Sequence, residues 1–375
     1  MESKQINTEE PCENCNNEVK EINEDVFDTK IPSDRYISDV IKVKIVPEKK
    51  GGFLKYTEYE ISSENYKTSV YHRYTDFFNL YEYFLKAYEF RMIPRLPPKL
   101  LMLSALLEER RSGLQRWLTL ISQHPILSTD KIFKFFLVHN SNEFHQDFCS
   151  ELKNECSMSL SIMRFEKIIN LENILTKREQ IRKIINHLCA IKNIISNQIK
   201  KRNNQRKDYG DLASSLCSIS KNIKDDSLKE ISKNFLEISK ITENANGNLL
   251  DERLELLNEV LIAFNDLCDR IIYRKQTSFS NEKSSTNSFN NIWFKNIIRK
   301  QNTNNEEDNE RMRVQQNHLS FGCYCVIEEF KLVEKYLKLL PSIVLQFTYN
   351  ESKTYSDISH ILHNIIDTES DKLNT

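Results

Sequence analysis

Four residues between positions 73 and 110 carry the chemistry this chain offers most plainly: Arg73, Tyr74, Lys99 and Arg110. A guanidinium can fork a phosphate with two parallel donors. An ammonium adds a mobile point charge, and a tyrosine face can pack on an apolar ring. These groups lie in YHRYTDF, FRMIPRLPPKL and LEERRSGL, around a turn rich in proline. The set suits a phosphorylated ligand better than a bond to be cleaved. Composition alone leaves a second reading open, a loop with ordinary surface charges.

The elements that must hold these residues can be read from periodicity. Ile41, Val43 and Ile45 alternate with Lys42 and Lys44, which is strand patterning. Glu48–Gly52 reads as a turn, and Leu54–Ile61 and Thr68–Tyr74 as two further strands. The three form an antiparallel meander that places Arg73 at the end of the third. A helix follows from Asp76, with Phe77, Leu80, Tyr81 and Phe84 on one face. Pro94, Pro97 and Pro98 impose an extended turn. Pro94–Pro97 also fits a minimal PxxP ligand, but packing within the domain is the preferred reading. Leu106–Gln123 reads as a helix, and Ser128 as the cap of a last one, Thr129–His139, whose Ile132, Phe133, Phe136 and Leu137 close the core.

The order and spacing of these motifs resemble the PX domain, the phosphoinositide-binding module of sorting nexins. The resemblance covers about residues 34–140. It implies that Arg73 holds a 3-phosphate, Tyr74 packs under the inositol ring, Lys99 reaches the other phosphate and Arg110 binds ring hydroxyls. Two features depart from the pattern. His72 stands where the family often has arginine, and only ten residues separate Lys99 from Arg110. The apolar Leu100, Leu101, Met102 and Leu103 therefore belong to a short loop.

Beyond Pro125 no proline occurs until Pro341, which points to long helices. Ile174, Ile181, Ile184, Leu188, Ile191, Ile195 and Ile199 recur at helical steps. Ser227–Glu230 reads as a capping box, opening a second helix that carries apolar residues from Ile231 to Ile271. Residues 277–290 and 300–310 read as loop or tip, and a third helix spans about Glu310–Asp367, bent near Pro341. Three wide apolar stripes require a partner, and a second copy is the usual one. Behind a PX domain this pattern is similar to the BAR domain of PX-BAR sorting nexins, with Lys207–Leu216 as the end of the first helix. The branch it most resembles is the fungal Mvp-type and sorting nexin 8-like one.

The expected architecture is an α+β PX domain, with a three-stranded antiparallel sheet and helices, followed by an all-α three-helix BAR domain. The boundaries are 1–33 for a disordered acidic tail, 34–140 for the PX domain and 141–375 for the helical dimerisation domain. Net charge is −1 over 375 residues. Residues 1–34 hold ten acids and three bases, so the remainder has 50 bases against 44 acids. An acidic tail ahead of a basic body is compatible with an anionic surface.

Lys200, Lys201, Arg202, Arg206 and Lys207 form a basic run that is either a solvated helix face or a membrane-facing patch, and the resemblance to the BAR domain favours the patch. Lys275, Lys295, Arg299 and Lys300 would add charge at the tip. No aromatic platform interleaves the run, which argues against nucleic acid. Six glycines form no phosphate loop or nucleophile elbow, so no enzyme is expected. Cys12–Cys15, His139 with Glu143 and His145, and His360 with His363 lack the further ligands a metal site needs. No cofactor or metal is implied. The start of the chain has no signal pattern and no apolar run reaches 18 residues, so a cytoplasmic protein peripheral on membranes is expected.

The resemblance implies an endosomal protein that binds phosphatidylinositol 3-phosphate and anionic membrane. It would pair into a homodimer and sense or generate curvature in endosomal and vacuolar sorting. Other sorting nexins or membrane-fission machinery would be its further partners. The alternative is a PX-targeted coiled-coil scaffold that binds proteins without bending membrane.

Overall fold

The computed structural model describes residues 39–47, 56–99, 104–140, 171–241, 247–280 and 305–373. The acidic tail with its cysteines, the 48–52 turn, Leu100–Leu103, Glu143, His145, Lys295, Arg299 and Lys300 lie outside the described residues.

Three strands form an antiparallel sheet in the order β1 (Ile41–Ile45), β2 (Glu58–Ser63), β3 (Thr68–Arg73). Val43 faces Ile61, which faces Val70, and Ile45 faces Tyr59, which faces His72. Ile41 and Val43 are buried while Lys42 and Lys44 are exposed, as the alternation requires. The third strand stops at Arg73, one residue earlier than expected, because the Asp76 carboxylate accepts the Arg73 N–H at 2.9 Å and turns the chain into helix α1 (Tyr74–Ala87). Phe77, Leu80 and Phe84 pack from α1 against Trp117, Leu118 and Ile121 of α2 (Ser104–Gln123) and Phe133, Phe136 and Leu137 of α3 (Lys131–Val138).

The expected Ser128 cap is not the one used. Residues Leu127–Thr129 form a single 3₁₀ turn, and Asp130 caps α3, accepting from the N–H groups of Ile132 and Phe133 at 2.7 and 2.9 Å. The same carboxylate accepts the Tyr83 and Tyr88 hydroxyls, each at 2.8 Å. A charged cap tied from two sides outcompetes a serine two residues earlier.

The remainder is helical: α4 (Leu171–Ile223), α5 (Asp226–Ile241), α6 (Gly247–Ser280), α7 (Asn305–Leu337) and α8 (Leu340–Leu373). The first long helix runs past Leu216 to Ile223. Lys224, at φ 57°, breaks it, and α5 packs back on α4, where Tyr209 stacks on Phe235 at 6.0 Å. Asp225 caps α5 through the Leu228 N–H, so Ser227, expected to be the cap, lies inside the first turn. The expected second helix is described as two, α5 and α6. Residues 277–280 and 305–310, expected to be loop, belong to α6 and α7. The third helix is interrupted at Lys338–Leu339, beside Pro341, as expected.

Ile174, Ile181, Leu188 and Ile195 bury a heptad stripe on α4 against Leu254, Leu257, Leu261 and Phe264 of α6. Phe90 and Met92, from the segment after α1, and Leu120 of α2 join this second core. The α+β part is thereby seated on the helices. Phe90 lies edge-on to Phe321, with their ring centres 5.8 Å apart, and the Arg274 guanidinium is 5.1 Å from its ring centre.

Gly322 is what lets Phe90 approach. A Cβ at that position would meet Phe90 ring carbons at 2.8 and 2.9 Å. Overpacking costs about 1–3 kcal/mol, against about 1 kcal/mol that alanine gains over glycine in a helix. Gly322→Ala is therefore expected to lower the thermal midpoint, and an unchanged or raised midpoint in a melting experiment would contradict this packing.

Candidate functional site

The end of strand β3, the start of α1 and helix α2 bring Arg73, Tyr74 and Arg110 to one end of the α+β domain. The Arg73 side chain is 41% exposed, with Nε 3.5 Å from Asp76 Oδ1 and its guanidinium 6.0 Å from the Tyr56 ring centre. Asp76 is fully buried and also lies 3.6 Å from His72 Nδ1. His72 is fully buried, stacks on Phe136 and has Nε2 2.8 Å from the Phe136 carbonyl. The histidine at this departure from the family pattern is thus a core residue and not a second ligand for a phosphate.

Tyr74 donates its hydroxyl to the Pro97 carbonyl at 2.7 Å, so the tyrosine and the proline turn form one wall. Arg110 lies 5.4 Å over the Tyr74 ring. Burial raises the Tyr74 phenol, and the Arg110 charge opposes that rise. Tyr59, buried beneath, responds in the same way to burial and to Arg110. Gly113 faces Pro97, where a Cβ would come within 2.9 Å of the proline ring. Pro94 accepts from the Trp117 indole at 2.9 Å. The PxxP stretch is therefore spent on internal packing. Lys99 is exposed, and no described contact brings it to the other three.

An exposed fork, a tyrosine ring and a second guanidinium on a fixed wall can hold an anion against a flat ring. Tyr56 packs beside Arg73 and the fully buried Tyr59 lies under Arg110, and the sequence reading missed both. The signal was the β2–β3 register, which sets Glu58 opposite Arg73 and Tyr59 opposite His72.

Of the basic run on α4, Lys200, Lys201 and Lys207 are exposed and Arg206 is half-buried. Arg202 departs from the expected patch. Its side chain is 11% exposed and pairs with Glu351 of α8. Position 202 continues the heptad of Ile181, Leu188 and Ile195, so the helix turns it inward.

A family model described as PX domain matches residues 60–140, the segment that holds Arg73, Tyr74, Lys99 and Arg110. Sorting nexin-8 of Bos taurus is 27% identical over 87% of this chain and 79% of its own length. Sorting nexin MVP1 of Candida glabrata is 28% identical over 62% of this chain and 50% of its own length. This chain is a PX-domain sorting-nexin homologue. Sorting nexin MVP1 of Candida albicans reaches 42% identity over a shorter stretch, 26% of this chain and 15% of its own length. In fold, the sorting-nexin homologue matches "The cryo-EM structure of the SNX-BAR Mvp1 tetramer" with a TM-score of 0.50 and 19% identity, covering 88% of this chain and 99% of that one. The similarity extends through the helices, so the architecture of a PX domain followed by a BAR-type helical region holds along the chain. No described helix is long and apolar enough to cross a membrane.

Proposed function

We propose that this sorting-nexin homologue is a peripheral protein of endosomal membranes that recognises phosphatidylinositol 3-phosphate. Arg73 forks the 3-phosphate, Tyr74 supports the inositol ring, Arg110 meets the ring hydroxyls and Lys99 reaches a further phosphate. The observation that carries this reading is the fixed wall of Tyr74, Pro97 and Arg110 beside an exposed Arg73. Residues 34–140 serve as the lipid-binding domain and 141–375 as the assembly domain.

Ile194, Ile223, Leu345, Tyr355 and Ile366 are each about 60% exposed in the single chain, which favours pairing with a second copy. The dimer then senses or generates curvature during endosomal and vacuolar sorting, with Lys200, Lys201 and Lys207 facing anionic lipid. Other sorting nexins and membrane-fission machinery are the further partners of this reading. It involves no catalysed step, no metal or cofactor and no nucleic acid. A scaffold that binds proteins without bending membrane is the alternative, and liposome tubulation separates the two.

Flotation with liposomes tests the proposal. The full chain is expected to bind vesicles carrying phosphatidylinositol 3-phosphate about 10²–10⁴-fold more tightly than residues 34–140 alone, because linked sites gain avidity. Its binding should also fall more steeply with salt. Equal affinity for the chain and the fragment would show that assembly adds nothing to membrane binding. No binding by either would remove the lipid reading.

A further inference from the structure

A cleft of about 460 Å³ opens where Pro97, Pro98 and Arg110 meet the helical domain. Its far wall is built by Glu252, Glu255 and Glu259 of α6 and by Lys192 of α4. Spacings of three and four residues set the three glutamates on one helix face. Arg116 of α2 reaches Glu252 at 2.7 Å and Glu259 at 2.9 Å, Ser112 donates to Glu252, and Lys192 pairs with Glu255. Two cations thus serve three acids. With Glu109 at the rim, the lining holds four carboxylates against three cations, and one of those cations is Arg110. Glu259 Oε2 is buried with no hydrogen-bond partner among the described residues.

A carboxylate wall treats the two edges of an inositol ring differently. It accepts hydrogen bonds from hydroxyls and repels phosphate, and discrimination between related ligands commonly needs such a repulsive element. We propose that the glutamates of α6 complete the head-group site from the helical domain, admitting a ring whose edge toward Arg110 carries hydroxyls and rejecting one that carries a further phosphate there. The inference rests on the head-group reading above. It makes lipid selectivity a property of both domains, with Glu255 as the positioning residue most open to test, since its pairing with Lys192 lies within the helical domain.

The experiment uses the full chain and vesicles matched in total charge with phosphatidylserine. The vesicles carry phosphatidylinositol 3-phosphate, its 3,4-bisphosphate or its 3,5-bisphosphate. Glu255→Gln is expected to raise the ratio of bisphosphate to monophosphate binding about tenfold, about 1.4 kcal/mol, for at least one bisphosphate, and Glu255→Lys to raise it further. Matched vesicle charge means that a general gain of attraction leaves the ratio unchanged. If Glu255→Lys does not fold, as judged by melting, Glu109→Gln at the exposed rim reads the same ratio. A ratio that stays constant in the Glu255 and Glu109 variants overturns the inference. Arg110→Gln separates the two levels. If it abolishes monophosphate binding while the ratio stays constant, only the glutamate wall fails. If it changes nothing, the head-group reading fails and takes the wall with it.

Discussion

Arg73→Gln is expected to weaken binding to phosphatidylinositol 3-phosphate vesicles by at least about 100-fold while leaving the fold in place. Hydrogen bonds to charged groups contribute about 1.5–3 kcal/mol each, and the fork supplies two. Losing both corresponds to about 3 kcal/mol or more, two decades of affinity or better. The fold should survive because the turn into α1 is made by the Arg73 backbone N–H on Asp76, not by the guanidinium. The Arg73 side chain is 41% exposed with its Nε 3.5 Å from the fully buried Asp76, which keeps the Arg73 N–H and His72 beside it when the guanidinium is removed, so loss of the side-chain pair costs about 1 kcal/mol or less. Flotation and thermal melting of the same preparation check both halves. Unchanged flotation would move the head-group site elsewhere, and a collapsed melting curve would mean that the guanidinium is structural.

The second large effect is expected at Glu329 of α7, which is 3% exposed and receives two groups from the α+β domain. Arg91 approaches at 3.3 Å and His124 Nε2 at 2.9 Å. His124 Nδ1 accepts the Ile126 and Leu127 N–H groups, which leaves Nε2 as the donor to Glu329. Burial pushes the Glu329 carboxyl upward, but His124 and Arg91 outweigh it and hold the group below the ordinary carboxylate range. Glu329→Ala leaves Arg91 buried without this partner, a change that costs about 3–5 kcal/mol. A depressed carboxyl stabilises the fold in full above its unfolded value of about 4.3 and loses that contribution as pH falls through the folded value. The parent should therefore lose stability on acidification below about pH 4.3, and Glu329→Ala should lose less over the same range. Parallel melting curves for the two proteins across pH would remove Glu329 from this role.

The local features of both domains were legible before the structure. Period-two alternation marked β1, and recurrent isoleucines marked α4, because burial on one side writes itself into spacing. Arg73, Tyr74 and Arg110 were singled out from types and order together with the family resemblance, and the structure sets them at one end of the domain. What spacing could not carry was competition and distance. Ser128 and Asp130 are both acceptable caps, and the choice between them turns on Tyr83 and Tyr88, which lie more than 40 residues earlier. Arg202 reads as one of five bases until its heptad position is compared with that of Ile195. Glu252 and Glu259 share a cleft with Arg110 only because α2 docks on α6, and no local pattern links positions about 140 apart. Tyr59 was hidden in a strand whose early boundary was misread.

The pairing of Arg91 with Glu329 spans 238 residues of chain. On a ribosome adding about 5–20 residues per second, that separation is a delay on the order of 10–50 s. For most of it the chain of the α+β domain is complete while α7 is still unmade. The sheet and α1–α3 must hold their own core through this interval, with Phe90, Met92 and Arg91 facing water or a chaperone. The seat that later receives them consists of helices from the last third of the protein, so synthesis itself orders the assembly, α+β domain first and its anchor afterwards.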